Sequence, residues 1–550
     1  MVTIMPSRIA FGLLAAGIAA CTAAAADTDS NSGWPSAGHD LKNSRHQAGE
    51  TRISVKSVGG LVKKWEFTTD GDVTANPAVE GDFLYFPDST GSLYKLNKNT
   101  GALVWKSAVS SYTRVPGDFA RATPAITGDA LILGNQAGRL LGAAFFQPEP
   151  APASVFAVDK NTGAALWSTQ IDSTPFSYVT HSALVVDGTA FVGTASNEEL
   201  LSAFVPPAFW QWNFRGSITA LDVATGAVKW KTYTVPVGYF GGAIWGSTGA
   251  VDKKRNLLFI ATGNNYMVPQ SVLDCLAAGG APASCMSPDN HFDSIVALDL
   301  SSGAVRWSAK GMPSDTWSVA CGLNVPGAIT IGPGFPGVYG NCPNANPDTA
   351  GPDYDFAQGP LLFNGDDEDS LVGAGQKSGM FWAFRAKDGK PAWSRQVAPG
   401  GVTGGLQWGS ATNGKDIFVA ASNSGPTSNG GGAGAQPWTL KDGSITTAGG
   451  WASLNAKNGK VQWTTADPQG SRAEAAVSLA NGVVFGCNMA AGAGTLYALD
   501  AKSGKPLWSH NSGAPCTAGP SIVDGMVFWG SGTFGLFGPT GPKKVFAFGL

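Results

Sequence analysis

With 550 residues, only 14% of them charged, and with 74 glycines and 18 tryptophans, the chain reads as a turn-dense folded protein rather than a disordered one. A formal net charge of -3 and the lack of a basic stripe set nucleic acid aside as a partner. Beyond the leader, no stretch is apolar for the roughly 20 residues that a membrane-spanning helix needs.

Residues 1–26 read as an export signal: Arg8, then a short apolar core, then small residues from Ala23 to Ala26. Ile18-Ala19-Ala20-Cys21 resembles a lipoprotein cleavage signal, so Cys21 offers a lipid anchor as the alternative. Either way the expected location is the periplasm, with residues 34–550 as the mature body.

One phrase then recurs. Seven copies resembling "ALDVATGAVKW" turn at Gly101, Gly163, Gly226, Gly303, Gly389, Gly459 and Gly504. Each is followed four residues later by a tryptophan: Trp105, Trp167, Trp230, Trp307, Trp393, Trp463 and Trp508. Asn97, Asp159, Asp222, Asp299, Asn455 and Asp500 stand four residues before their glycines, where a short polar side chain bonds turn backbone and Gly supplies the positive φ. The fifth copy departs, with Arg385. Alternating runs such as "GTAFVGTA", "NLLFIATG" and "GVVFGCN" precede the copies, which predicts short antiparallel strands and no long helix. A repeated Trp packs between sheets that cannot bury both faces alone. An eighth unit is split between "LVKKWEFTT", with Trp65 in the Trp role, and the C-terminal "KKVFAFGL". The expected fold is therefore an all-β, eight-bladed propeller closed by the two chain ends, with insertions at about 266–290, 321–352 and 424–437. Long loops on a rigid ring carry or cover sites.

Setting Cys21 aside leaves Cys275, Cys285, Cys321, Cys342, Cys487 and Cys516, an even number suited to an oxidising compartment. Among the 15 connectivities that six cysteines allow, pairing of neighbours is expected. No CxxC supplies a zinc pair, and no CxxCH attaches a haem.

These blades, the opening "GWPSAGHDLKNSRH", and "SNEE", "FRGSITALD", "WGSTGAVD", "ATGNNY", "GPDYDF", "AGQKSG" and "GGLQWG" in that order resemble the quinoprotein alcohol dehydrogenases, within them the polyvinyl alcohol dehydrogenase-like group. The resemblance spans essentially the whole mature chain. It implies pyrroloquinoline quinone (PQQ) and a calcium ion on the propeller axis, the ion held by oxygens of a Glu, an Asn and usually an Asp, as suits a hard cation.

Carried over by motif, the metal ligands are Glu198, with Glu199 as runner-up; Asn264, with Asn265 as fallback; and Asp355. Standing alone, the glutamates would be loop acids and the Asn pair ordinary turn chemistry. The catalytic base is the least settled, because "PSDTWSVAC" has Ser318 where the family writes an Asp. Asp355 is the expected base, and Asp315 and Asp353 are the alternatives. Lys377 matches the cation near the quinone oxygens. Trp245 matches the floor beneath the cofactor. Thr180, Gln407 and Trp408 fall at other cofactor positions. Arg121 matches a residue that pairs a cofactor carboxylate, a contact to which a guanidinium is suited. The adjacent cysteine pair that covers the cofactor in many relatives is absent from "SYTRVPGDFARATP", so its cover is expected from the insertions.

What this implies is oxidation of a secondary or bulky alcohol, with electrons passed to a separate periplasmic cytochrome c. The rivals are a non-catalytic propeller scaffold lipoprotein for outer-membrane protein assembly and a sugar-oxidising quinoprotein.

Overall fold

The computed structural model describes residues 33–136, 152–205, 207–246, 248–323, 342, 351–365, 368–401, 403–424, 435–535, 538–539 and 541–550. The export signal with Cys21, and most of the two insertions at 321–352 and 424–437, lie outside them.

Eight four-stranded antiparallel sheets follow one another in chain order, one of them extended by the short strand His46–Gln47. The eighth is the split unit: Lys544–Gly549 pairs on one side with Met526–Gly530 and on the other with Val62–Thr68, Trp65 facing Ala547. The expected propeller and its closure by the two chain ends are both found. Pairing the N-terminal strand onto the outside of the last blade joins the two chain ends and so closes the ring.

The repeat explains how the blades stack. The indole N–H of Trp65 donates to the carbonyl of Lys98 at 2.9 Å, that of Trp167 to Val223 at 2.8 Å, and that of Trp393 to Ala456 at 3.0 Å, each on the following blade. The turn glycine beneath each indole belongs to the next copy: a Cβ on Gly226 would stand 2.6 Å from Trp167, and one on Gly459 would stand 2.4 Å from Trp393. Glycine is thus needed twice, for a φ near +70° and for a flat surface under the ring. At the closing seam no such turn is available, and Trp508 donates instead to Leu61, beside the short turn Val58–Gly60.

Asp222 shows the turn chemistry, its Oδ1 accepting from the backbone N–H groups of Ala224 and Thr225 and from the Thr225 hydroxyl. In the fifth copy Arg385 cannot accept; its guanidinium instead forks onto Asp388, whose Oδ1 takes the N–H of Lys390. Between sheets the core is aliphatic and aromatic, as where Phe191 and Ile218 of the third blade meet Ile260 and Val296 of the fourth. Each such side chain contributes roughly 1.5–3 kcal/mol by leaving water.

In each blade the innermost strand runs away from one mouth of the axis and the second strand returns to it. Residues just before an innermost strand and just after a second strand therefore gather at the same mouth. The other mouth is strapped by the N-terminal segment. Trp34 bridges to Val79, and the carbonyls of Pro35, Leu41, Lys42, Ser44 and Arg45 accept from Ile126, Val251, Leu362, Thr412 and Leu479, one residue on each of five further innermost strands. The Gln47 amide reaches the Ile522 carbonyl of the eighth blade. A cavity of about 820 Å³ lies at this strapped end, beside His39, Asp187 and Lys254, and is lined by none of the residues singled out from the motifs.

The neighbouring cysteines pair as expected: Cys275 with Cys285, Cys321 with Cys342, and Cys487 with Cys516. The first bridge ties together the two short helices of the 266–290 insertion, Gln270–Ala277 and Pro282–Cys285.

Candidate active site

All the candidate residues come from segments that end at the mouth opposite the strap. Arg121, Thr180, Trp245, Asp355, Gln407 and Trp408 lie just before the innermost strands of five blades, and Glu198, Asn264 and Lys377 just after the second strands of three.

Asp355 is the hub. It is fully buried, its Oδ1 accepts from the backbone N–H of Asn264 at 2.6 Å, and its Oδ2 lies 2.6 Å from Lys377 Nζ. The same ammonium reaches both oxygens of Asp353, at 2.9 and 3.0 Å. Burial opposes the charge on Lys377, but Asp353 and Asp355 outweigh it and hold its pKa well above the usual value. Asp315 is also fully buried, accepting from the N–H groups of Tyr354 and Asp353, and burial pushes its carboxyl up to about 7. A further acid, Asp293, lies within the field of Asp315 and Asp355 and is raised well above the usual range, chiefly by burial. So many buried carboxylates around one lysine form a site short of positive charge.

The two glutamates face different surroundings. Glu198 opens the short helix Glu198–Leu201, and its carboxylate accepts from the backbone N–H groups of Asn213, at 3.2 Å, and Phe214, at 3.0 Å. Burial still raises it to about 7. Glu199 instead lies in the field of Asp355, Lys377 and Asp315; burial first, then the Asp355 charge, push it up to about 8, and its Oε1 has no hydrogen-bond partner. In sequence the pair differs by one position, and only the turn of the helix separates their roles.

Asn264 and Asn265 divide in the same way. Asn265 exchanges two amide hydrogen bonds with Asn290. Asn264 donates to the carbonyls of Asn265 and Trp317, while its Oδ1 is buried with no donor. A buried amide oxygen and a buried carboxylate oxygen without donors, both beside Asp355, are the ligand atoms that a hard cation takes. Among the described residues no three His, Cys, Asp or Glu side chains gather at metal-ligand spacing, so the set rests on two carboxylates and one amide.

Gly263 lets these groups meet: a Cβ there would stand 2.4 Å from Asp355 Oδ1 and 2.9 Å from Trp245 Nε1. Thr180 donates through its hydroxyl to the Trp245 carbonyl at 3.2 Å. Arg121 and Trp408 precede the second and sixth of the eight blades, on opposite sides of the ring, and the guanidinium lies 5.1 Å from the indole centroid. No carboxylate of the described chain pairs with Arg121, so it is available to an anionic ligand. Trp408 holds φ +59°, a left-handed conformation rare for such a bulky residue.

Sequence reasoning missed Tyr178, Tyr266 and Asp293. Tyr266 ends "GNNY" and is fully buried, with no partner for its hydroxyl; burial and the charge of Glu199 raise it well above its usual value. Its place directly after the Asn pair was the available signal. Asp293, in "HFDSIVALD", reads only as an acid opening a strand.

A family model described as outer membrane protein assembly factor BamB, of PQQ repeats, matches residues 57–308 and 448–535, more than half of the chain. The chain belongs to this PQQ-repeat family. It is 28% identical over 546 residues to the polyvinylalcohol dehydrogenase of Sphingopyxis sp. (strain 113P3), covering 93% of this chain and 74% of that protein. The solved quinohemoprotein alcohol dehydrogenase ADHIIG of Pseudomonas putida HK5 superposes with a TM-score of 0.67, covering 94% of this chain and 80% of that one at 17% identity. BamB of Moraxella catarrhalis gives a TM-score of 0.51, covering 89% of this chain and all of that one at 13% identity. At these identities the two structural likenesses speak for the fold alone. The resemblance read from the blade repeats and ordered motifs, to the quinoprotein alcohol dehydrogenases and their polyvinyl alcohol dehydrogenase-like group, holds over nearly the whole PQQ-repeat chain.

Proposed function

We propose that this protein is a PQQ-dependent alcohol dehydrogenase that works in the periplasm with calcium and oxidises a secondary or bulky alcohol. The observation that carries this reading is the pair of buried, donorless oxygens, Asn264 Oδ1 and Glu199 Oε1, beside the lysine-paired Asp355. Glu199, Asn264 and Asp355 would hold the cation, one residue from each of three successive blades. Glu198, saturated by backbone donors, holds the loop that presents Glu199. Arg121 offers a carboxylate-binding guanidinium, with Thr180, Gln407 and Trp408 around the same mouth and Trp245 as the floor.

When bound, PQQ supplies a two-electron acceptor and the cation a Lewis acid. Asp355 takes the hydroxyl proton while the carbinol carbon gives up its hydride, leaving the carbonyl product. Lys377, 2.6 Å from its Oδ2, holds the Asp355 carboxylate in place for that task. Asp315 acts one step back, gripping the 353–354 backbone from which Asp355 projects. A separate cytochrome c is the electron acceptor we propose.

A scaffold in outer-membrane protein assembly would use the same ring, yet it has no use for donorless oxygens around a buried acid cluster. A sugar-oxidising quinoprotein would keep the same machinery and differ in substrate. The test is dye-linked oxidation of secondary alcohols and sugars by purified protein, with PQQ and calcium supplied together and each omitted in turn. Activity with alcohols that needs both is expected; absence of PQQ binding together with absence of turnover overturns the reading.

A further inference from the structure

The segment Phe209–Phe214 carries four aromatic side chains and no charge, and it is fastened to the acid helix by the bonds from Asn213 and Phe214 to Glu198. Phe209, the last residue of the short turn Pro207–Phe209, is 82% exposed. From it the aromatic rings run inward. Trp210 meets Trp212 edge to face at 5.0 Å, Trp212 meets Tyr266 at 6.0 Å, and Phe214 stacks on Tyr266 at 6.1 Å. Trp212, Phe214 and Tyr266 form one cluster with Tyr178 and Trp245, the candidate cofactor floor. The neighbouring loop, whose Gly241 N–H donates to the Phe214 carbonyl, adds Val237, 84% exposed.

Exposed aromatic surface continuous with a buried reaction site, and free of charge, suits the apolar part of a molecule whose polar end reacts deeper in. We propose that the Phe209–Trp210–Trp212 ridge is the substrate-specificity surface, and that it selects alcohols bearing a large hydrocarbon or aromatic group on the carbinol carbon. This rests on the alcohol dehydrogenase reading. Such a group gains by stacking on the indoles while its hydroxyl reaches Asp355. A small alcohol uses only the inner site, and a polyol chain has too little apolar surface to exploit the ridge.

The test compares kcat/KM for 4-phenyl-2-butanol, 2-propanol and a short polyvinyl alcohol oligomer, with PQQ, calcium and a dye acceptor. In Trp210→Ala and in Phe209→Ala, the preference for the phenyl alcohol over 2-propanol is expected to fall about tenfold and about threefold, respectively. Trp210→Phe should keep most of the preference. Phe209 lies outside the core, so its variant remains informative even if Trp210→Ala folds poorly. An equal loss on all substrates, or a selective loss on the oligomer, overturns the proposal. So does a loss that appears only when a cytochrome c replaces the dye, because that assigns the ridge to partner docking. If the unaltered protein oxidises none of the three, it is the alcohol dehydrogenase reading that fails.

Discussion

Gly303 lies flat beneath Trp230 of the preceding blade: a Cβ on the glycine would stand 2.4 Å from the indole. Gly303 also holds φ +72°. Gly188 has a similar φ of +70° but nothing within 4 Å of its would-be Cβ. Backbone strain alone costs about 1–2 kcal/mol when a left-handed glycine becomes alanine. Gly303→Ala adds displacement of a blade-docking ring and is expected to lower stability by about twice as much as Gly188→Ala. Thermal and denaturant unfolding of the two variants side by side would check this.

Trp230 is itself partly exposed and packs against the cluster that joins the third and fourth blades. Trp230→Ala is therefore expected to cost about 3 kcal/mol, at the lower end of the range for large aromatics in a core. Its readout is the midpoint of denaturant unfolding.

The two adjacent glutamates should separate cleanly by experiment. Glu199→Gln removes a donorless buried carboxylate and is expected to weaken calcium binding at least tenfold while sparing the fold. Glu198→Gln loses a carboxylate that accepts from Asn213 and Phe214, and is expected to cost about 1–3 kcal/mol of stability. Calorimetric titration with calcium, paired with thermal melts, distinguishes them. The reverse pattern would make Glu198 the ligand.

The raised acids give the metal-free protein a defined pH dependence. Glu198 and Asp315 are raised to about 7 and Glu199 to about 8, each chiefly by burial. Unfolded, such groups titrate near 4. Between about pH 4 and pH 8 the folded chain thus holds more protons than the unfolded one, and stability falls as pH rises. The melting temperature without metal should decline from pH 5 to pH 8, and calcium should restore more of it at pH 8 than at pH 5. A flat profile would mean that these carboxyls are not raised.

Lys377→Met leaves Asp353 and Asp355 buried without their cation. Asp353 then loses the charge that offsets its burial and the Asp355 carboxylate loses its partner, so kcat is expected to fall by a factor of ten or more in steady-state assays. An unchanged kcat would exclude the lysine-paired Asp355 as the base.

The fold was written in the sequence because its signal is local and repeated. A Gly and a Trp at fixed spacing recur seven times, six of them with an Asp or Asn ahead of the turn, and together specify the turn and its docking ring, while "LVKKWEFTT" supplies the closing strand. The motif residues could likewise be placed in order, by the resemblance of their motifs to the quinoprotein alcohol dehydrogenases, and strand alternation then brings the segments before innermost strands and after second strands to one mouth. By motif the sequence put Glu198 before Glu199 and Asn264 before Asn265, but it could not show which member of each pair is left without donors. That choice depends on one turn of helix and on partners distant in the chain, Asn213 and Phe214 for Glu198 and Asn290 for Asn265. Nor could it join Arg121 to Trp408 across the ring, or bring Asp293, Tyr266 and the Trp210–Trp212 ridge to the site. Spacing along a chain encodes repeated backbone geometry. Burial, unpaired oxygens and opposed charges arise only when blades far apart in sequence close around a common axis.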